Sequence, residues 1–276
     1  MIRTIQNETA RAVLYEDEYS RRIRVDDYSG QPETVLGLIQ GVLPPWTEKL
    51  ILKARPGDVD FFIHHDFSEE AMIAGYFSGT DMHFLTRYPT PARAISPKAK
   101  EEDQMIQRLL SAPPSSGPTP EVRVDFATPA DAGALATLYG ECFEVYPTPV
   151  NNPEHVRKTM GEGTVYVITR DNDRIISAAS AEINETYRNA ELTDCATRAG
   201  HEGKGLMRAL LLELERHLHS RGIKCLYTIA RSESFGMNKA FYQLGYKFGG
   251  RMTKNCMIYS GLEDMNVWYK FENSVI

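Results

Sequence analysis

The stretch ELTDCATRAGHEGKGLMRALLLELERH, residues 191–217, decides how the rest of the chain is read. Its opening reads as a polar-studded strand, and its middle is a lysine flanked by glycines. Its end has helical spacing: Met207, Leu210, Leu211 and Leu214 fall on one stripe that continues to Leu218. A strand, a loop nearly free of side chains and a helix start form a layout suited to an anion. The first amides of a helix lack partners within it and carry the positive end of its dipole. Gly222 stands where a C-cap is wanted, so the helix is predicted over about residues 204–221.

Working outward, TVYVITRDNDRIISAASAEINE predicts two strands around an Asp171–Asp173 turn. PADAGALATLYGECF predicts a helix capped by Thr128 with Pro129 at its first position, and VRVDFAT before it reads as a strand. Downstream, KCLYTIA is a strand, SFGMNKAFYQLGY a helix with Ser234 as cap, and KFGGRMTKN and MNVWYKF the last strands. Residues 122–276 thus predict one domain, a mixed sheet with helices on its faces. SAPPSSGPTPE, residues 111–121, holds four prolines and reads as a linker. Residues 1–110 predict a smaller mixed α/β domain. RAVLYEDEYSRRIRVDDY reads as two strands and PETVLGLIQGVL as a helix. KLILKAR and VDFFIHH read as strands, and SEEAMIAGYFSG as a short helix capped by Ser68.

No apolar run approaches the roughly 20 residues that span a bilayer, and MIRTIQNETARAVLYEDEY lacks the apolar core of a signal peptide. A formal net charge of -6 argues against non-specific nucleic-acid binding. Cys142, Cys195, Cys225 and Cys256 have no metal-type spacing and read as free thiols of a reducing compartment. Adjacent His64 and His65 would face opposite sides of a strand and share no metal. The expectation is a cytoplasmic protein without a membrane, nucleic-acid or metal partner.

A Walker A loop requires Ser or Thr after Gly-Lys, but Lys204 is followed by Gly205, and the GxGxxG order of a dinucleotide fold is absent. The segment instead resembles the acetyl-CoA loop of the GNAT (Gcn5-related) N-acetyltransferases, Arg/Gln-x-x-Gly-x-Gly/Ala between a strand and a helix. Glu202, Gly205 and Met207 occupy the marked positions, so only the central glycine matches, beside Gly203 and Lys204 of a GKG core. AELTDCAT resembles the AEI-x-x-CA strand of the histone acetyltransferase branch. YTIARSESFGMNKAFYQLGY resembles the family's closing strand and helix, with Gly245–Tyr246 at the end. The resemblance covers residues 122 to about 270.

That resemblance implies a GNAT-type α/β (α+β) fold, a mixed, mostly antiparallel twisted sheet flanked by helices, with acetyl-CoA as cosubstrate. It places Cys195, Ala196, Thr197, Glu202, Gly203, Lys204, Gly205, Leu206 and Met207 at the acetyl-CoA site, with Ser234 and Asn238 near its arm. Glu191 takes the general-base position and Asp194 is the alternative; three apart on an ideal strand, they face opposite sides. The usual thiolate-protonating tyrosine is replaced by Phe241, which leaves neighbouring Tyr242 or water for that step.

ELTDCATR, GKGLM, YTIARS, GMN, GY, MNVWYK and, near the N-terminus, EEAMIAGYFSGTDMHF resemble the bacterial and archaeal β-lysine N6-acetyltransferases. This implies acetylation of the ε-amine of (3S)-3,6-diaminohexanoate, giving a compatible solute of osmotic stress. Arg231 would meet the acceptor's carboxylate and Asp194 its β-ammonium, with Tyr227, Asn255, Asn266 and Trp268 lining the pocket. Two alternatives stand beside it: a GNAT enzyme for another small amine, polyamine or protein lysine, and a non-catalytic acetyl-CoA-binding module, which Glu202, Met207 and Phe241 would suit. A homodimer is left open. Residues 1–110 are read as a degenerate half-copy of the same fold that closes the acceptor pocket.

Overall fold

The computed structural model describes residues 1–114, 121–143, 148–258 and 261–272. The first half contains β1 (Ile2–Gln6), β2 (Arg11–Asp17), β3 (Arg22–Ser29), α1 (Pro32–Gln40), β4 (Lys49–Ala54), α2 (Val59–Ile63), β5 (Ser68–Phe77), β6 (Thr80–Arg87) and α3 (Ala99–Ser111). The second contains β7 (Asp125–Phe126), α4 (Ala132–Cys142), α5 (Pro153–Gly161), β8 (Val165–Asp171), β9 (Arg174–Asn184), β10 (Asn189–Thr197), α6 (Leu206–Ser220), β11 (Cys225–Arg231), α7 (Phe235–Gln243), β12 (Lys247–Ile258) and β13 (Gly261–Phe271).

Among the described residues thirteen strands form one sheet, and its order repeats. From β1 the first half runs β1-β2-β3-β4-β6-β5, and from β8 the second runs β8-β9-β10-β11-β13-β12. Each run has one parallel pair, β3/β4 and β10/β11, bridged by a helix. The runs join where β5 pairs antiparallel with β12, with Ala71 opposite Gly250. Only glycine fits there: a Cβ on Gly249 would stand 2.3 Å from the Met72 carbonyl, and one on Gly250, at φ 136°, 2.3 Å from that of Glu70.

Helices α1 and α2 cover one face of the first half, burying Val35, Leu36, Ile39 and Phe62. In the second half α3, α6 and α7 pack on Val167, Ala181, Leu192 and Leu226. On the opposite face of the second half α4 and α5 cover Tyr166, Ile168 and Ala178. The remainder of that face shares a third core with the first half, in which Ile51, Ile73, Met82 and Phe84 lie with Cys225, Tyr227, Met265 and Val267. The sheet rolls up around this core. β3 and β10 are seven steps apart in strand order, about 34 Å in a flat sheet. Yet Tyr187, in the turn leading into β10, donates its hydroxyl to Asp27 of β3 at 2.9 Å and receives Arg55 at 3.1 Å.

Three local expectations are corrected. Residues 68–77 are strand β5, not a helix: the run pairs with β6 and β12, and this tertiary pairing overrides the local helix-start signal of Ser68 and its acidic neighbours. VDFFIHH is helical, with Phe62 packed in the core; the Nδ1 atoms of His64 and His65 bond the carbonyls of Asp60 and Phe61 at 2.6 and 2.8 Å. VRVDFAT contributes only the two-residue β7. Part of the linker, residues 115–120, lies outside the described residues. Among the described residues no helix is long and apolar enough to cross a membrane, and the four cysteines are free thiols.

Candidate active site

The parallel pair β10/β11 is in register only from Asn189–Cys225 to Glu191–Tyr227. Beyond that the strands part, because the pairing of β10 with β9 slips between Thr193 and Ala196 at a bulge where Asp194 takes a positive φ of 48°. The resulting gap is walled by Thr193, Asp194 and Cys195 on one side and by Thr228, Ile229 and Ala230 on the other. Met237 of α7 borders it from the α6/α7 face, and Cys256 and Met265 from the opposite face, so the gap runs through the sheet.

The bulge overturns the expectation that Glu191 and Asp194 face opposite ways. Glu191 is registered with Glu182 and Thr193 with Ser180, so all four side chains share the face opposite α6 and α7, which α4 and α5 cover farther along β8 and β9. Ser180 Oγ donates to Asp194 Oδ2 at 2.8 Å, which places the Asp194 carboxylate on that face too. Three carboxylates therefore converge beside the gap. Burial, then the charges of Glu191 and Asp194, push the Glu182 carboxyl up to about 7, against the pull of Arg24 and Lys53. Among the described residues Glu182 and Glu191 accept no hydrogen bond and form no ion pair. Like charges directly opposite each other on paired strands are unfavourable, so the arrangement is built for a cationic visitor. Among the described residues no group of three or more His, Cys, Asp or Glu side chains is placed to hold a metal ion.

On the other side of the sheet, residues 198–205 lead into α6. Gly203 and Gly205 have φ of 72° and 77°, and a Cβ on Gly203 would meet nothing within 4 Å. The amides of Gly203, Gly205, Leu206 and Met207 find no acceptor among the described residues, and Lys204 is exposed beside them. This set fits the pyrophosphate of acetyl-CoA. Glu202 turns back on the loop, its carboxylate accepting the Gly200 amide at 2.7 Å, while Met207 packs against the core beneath α6. Cys195, Ala196 and Thr197 continue from the gap toward this loop. Burial, with Asp194, pushes the Cys195 thiol upward, so it is a neutral wall rather than a nucleophile.

Several residues expected to touch ligand do otherwise. Asn238 is fully buried: its Nδ2 donates to the carbonyls of Arg231 and Ser234 at 3.0 and 2.8 Å, and its Oδ1 accepts Asn266 and Trp268 at 2.9 and 2.8 Å. Asn238, Asn266 and Trp268 thus tie β11, α7 and β13 together and shape the gap from behind. Arg231 borders the gap, but its Nε and Nη2 grip Glu263 at 2.6 and 2.8 Å, which commits the cation meant for an acceptor carboxylate. Asn255 is buried in β12. Tyr242 donates its hydroxyl to the Ala112 carbonyl at 2.6 Å and does not line the gap, and Phe241 is core. Ser234 lines the gap, and Tyr227 stands opposite Glu191, its ring 5.4 Å from that of Tyr76 on β5.

The Acetyltransferase (GNAT) family matches residues 133–246. N-acetyltransferase YodP of Bacillus subtilis is 36% identical over 273 residues, covering 98% of this chain and 99% of its own. The β-lysine N6-acetyltransferase of Methanosarcina mazei is 33% identical over 88% of this chain and 98% of its own. That of Methanococcus maripaludis is 31% identical, over 80% and 82%.

Proposed function

This chain belongs to the GNAT family of acetyl-CoA-dependent N-acetyltransferases, and from that premise we propose that its acceptor is β-lysine, acetylated on N6. The observation that carries the reading is the convergence of Glu182, Glu191 and Asp194 on one face of the gap. An acceptor with two ammonium groups meets carboxylates for both, whereas a monoamine would leave charge uncompensated. Two relatives of similar length with that activity support the same acceptor.

The amides at the start of α6 and Lys204 hold the pyrophosphate, and the bound cosubstrate supplies an activated acetyl thioester. The protein's task is to free a lone pair on N6, whose ammonium has a pKa of about 10.4. Glu191, without a competing partner, takes that proton directly or through one water. A thiolate with a pKa of about 8.5 leaves without a protein acid, so the commitment of Tyr242 to Ala112 costs the step nothing. The product keeps one ammonium and one carboxylate, a net-neutral zwitterion suited to a compatible solute. The first half, with its matching strand order, is a degenerate copy of the catalytic half that closes the acceptor side.

Thiol release with β-lysine, α-lysine, ornithine and spermidine tests the acceptor. The expected result is a kcat/KM for β-lysine about tenfold or more above the others. Equal or better turnover of another amine would remove β-lysine and leave acetyl transfer standing.

A further inference from the structure

Acetyl transfer needs no cation on the acceptor side of the gap, yet the first half places one there. Arg24 is the third registered residue of β3/β4, opposite Ile51, as Glu191 is the third of β10/β11, opposite Tyr227. The rolled sheet brings these matching positions together: Tyr227, registered with Glu191, sets its ring near that of Tyr76, whose hydroxyl accepts Lys53, the partner of Asp26 beside Arg24. Burial opposes the charge on Arg24, but Asp26, and beyond it Glu191 and Tyr227, outweigh that and hold it firmly cationic. Asp26 fixes the guanidinium from one side, with Nε–Oδ1 at 2.6 Å and Nη2–Oδ2 at 3.2 Å. Lys53, buried and 2.9 Å from Asp26, braces that carboxylate and donates to the Tyr76 hydroxyl at 3.0 Å. The rest of the fork, three of the five N–H groups of an arginine, has no acceptor among the described residues. No ion pair joins Arg24 to Glu191 or Glu182, so opposite charges face one another with nothing bridging them.

We infer that Arg24 binds the carboxylate of the acceptor across the cleft from the carboxylates that receive its ammonium groups, so that the first half selects amino acids over simple diamines. This rests on the acetyl-transfer reading of the cleft, not on β-lysine in particular. A planar fork already held by Asp26 is pre-organised for a second carboxylate.

The test is steady-state kinetics on two matched pairs, β-lysine with its carboxamide and α-lysine with its carboxamide, using the wild type, Arg24→Gln and Arg24→Lys. The wild type is expected to favour the carboxylate member by about 10- to 100-fold in kcat/KM. Arg24→Gln collapses that preference to about threefold or less, mainly through KM, and Arg24→Lys restores part of it. Absence of the preference in the wild type, its persistence in Arg24→Gln, or an equal loss on both members would overturn the inference. Should Arg24→Gln lose acetyl-CoA binding through misfolding, Arg24→Lys decides: a weakened preference supports the inference and an unaltered one sinks it. If α-lysine proves the better acceptor, the β-lysine reading falls and Arg24 is judged on the α-lysine pair. No wild-type turnover of any member of either pair overturns this inference, and the acetyl-transfer reading is then judged separately on ornithine and spermidine.

Discussion

The parallel pairs β3/β4 and β10/β11 start alike and end differently. Both are in register for their first residues and both cross to a helix. β10 then bulges at Asp194 and parts from β11, and eight residues, 198–205, carry the chain to α6. In β3/β4 the corresponding space is filled by Tyr28, which is buried, donates to Asp58 at 2.6 Å and accepts the Arg55 amide at 3.2 Å. Only Gly30 and Gln31 separate β3 from α1, which opens with Pro32, a residue without an N–H to offer an anion. β3 slips as well, against β2 at Asp26, so the difference lies in the parting of β10 from β11 and in the longer crossover that follows. The first half keeps the charge of its third registered position and gives up the opening.

The sharpest way to break this comparison is to neutralise the position that differs most. Glu191→Gln is expected to lower kcat by about 100- to 10,000-fold, with partial recovery as rising pH frees the amine unaided. A variant within a few fold of wild type across the pH range would move the base to another carboxylate. Next in size, Gly250→Ala tests the junction that holds the two pairs face to face. A side chain at φ 136° and 2.3 Å from a carbonyl is expected to cost about 2–4 kcal/mol. An unchanged urea midpoint would show that the halves cohere without the β5/β12 approach.

The smallest effect concerns Glu182. Its folded pKa of about 7 lies above the ordinary carboxylate value, so the folded protein retains a proton that the unfolded chain has released. That contribution is fully present below about pH 4.5 and is lost as pH rises through 7. Glu182→Gln should therefore raise the melting temperature of the ligand-free protein at pH 8 and leave it nearly unchanged at pH 4. A variant equally stabilised at both values would mean that charge repulsion is not the cause. Glu102 of α3 has the same sign, pushed up to about 8 by burial and by a hydrogen bond with Asp264, and it keeps some pH dependence in the variant.

Much of the second half was legible because its strands are apolar runs bounded by turn residues and its glycine loop stands between a strand and a helical stripe. β5 was not: a serine and two glutamates before an apolar run imitate a helix start, and only pairing with β6 and β12 from far along the chain makes it a strand. VDFFIHH fails the other way, since a short apolar run fits either period. At the site, Glu191 and the loop were readable as motif, whereas the turn of Asp194 onto the same face depends on a bulge that no spacing announces. Arg24, Lys53 and Tyr76 reach the cleft only through the roll of the sheet. One signal was available: RIRVDD puts charges at alternate positions of a strand whose other side chains are apolar. Glu182 was also deducible, as the hairpin partner of Glu191 across the Asn184–Asn189 turn.

The β5/β12 junction has one more consequence. A sheet edge exposes unpaired amides and carbonyls that recruit other chains. The outer edges of this sheet are short, five residues in β1 and two in β7, whereas β5 and β12, ten and twelve residues long, meet each other at Ala71 and Gly250. A catalytic half alone would present β12 as a long open edge, with two glycines that invite close approach. Freed of the first half, such a fragment is expected to pair with its own copies along β12 before it meets an amine.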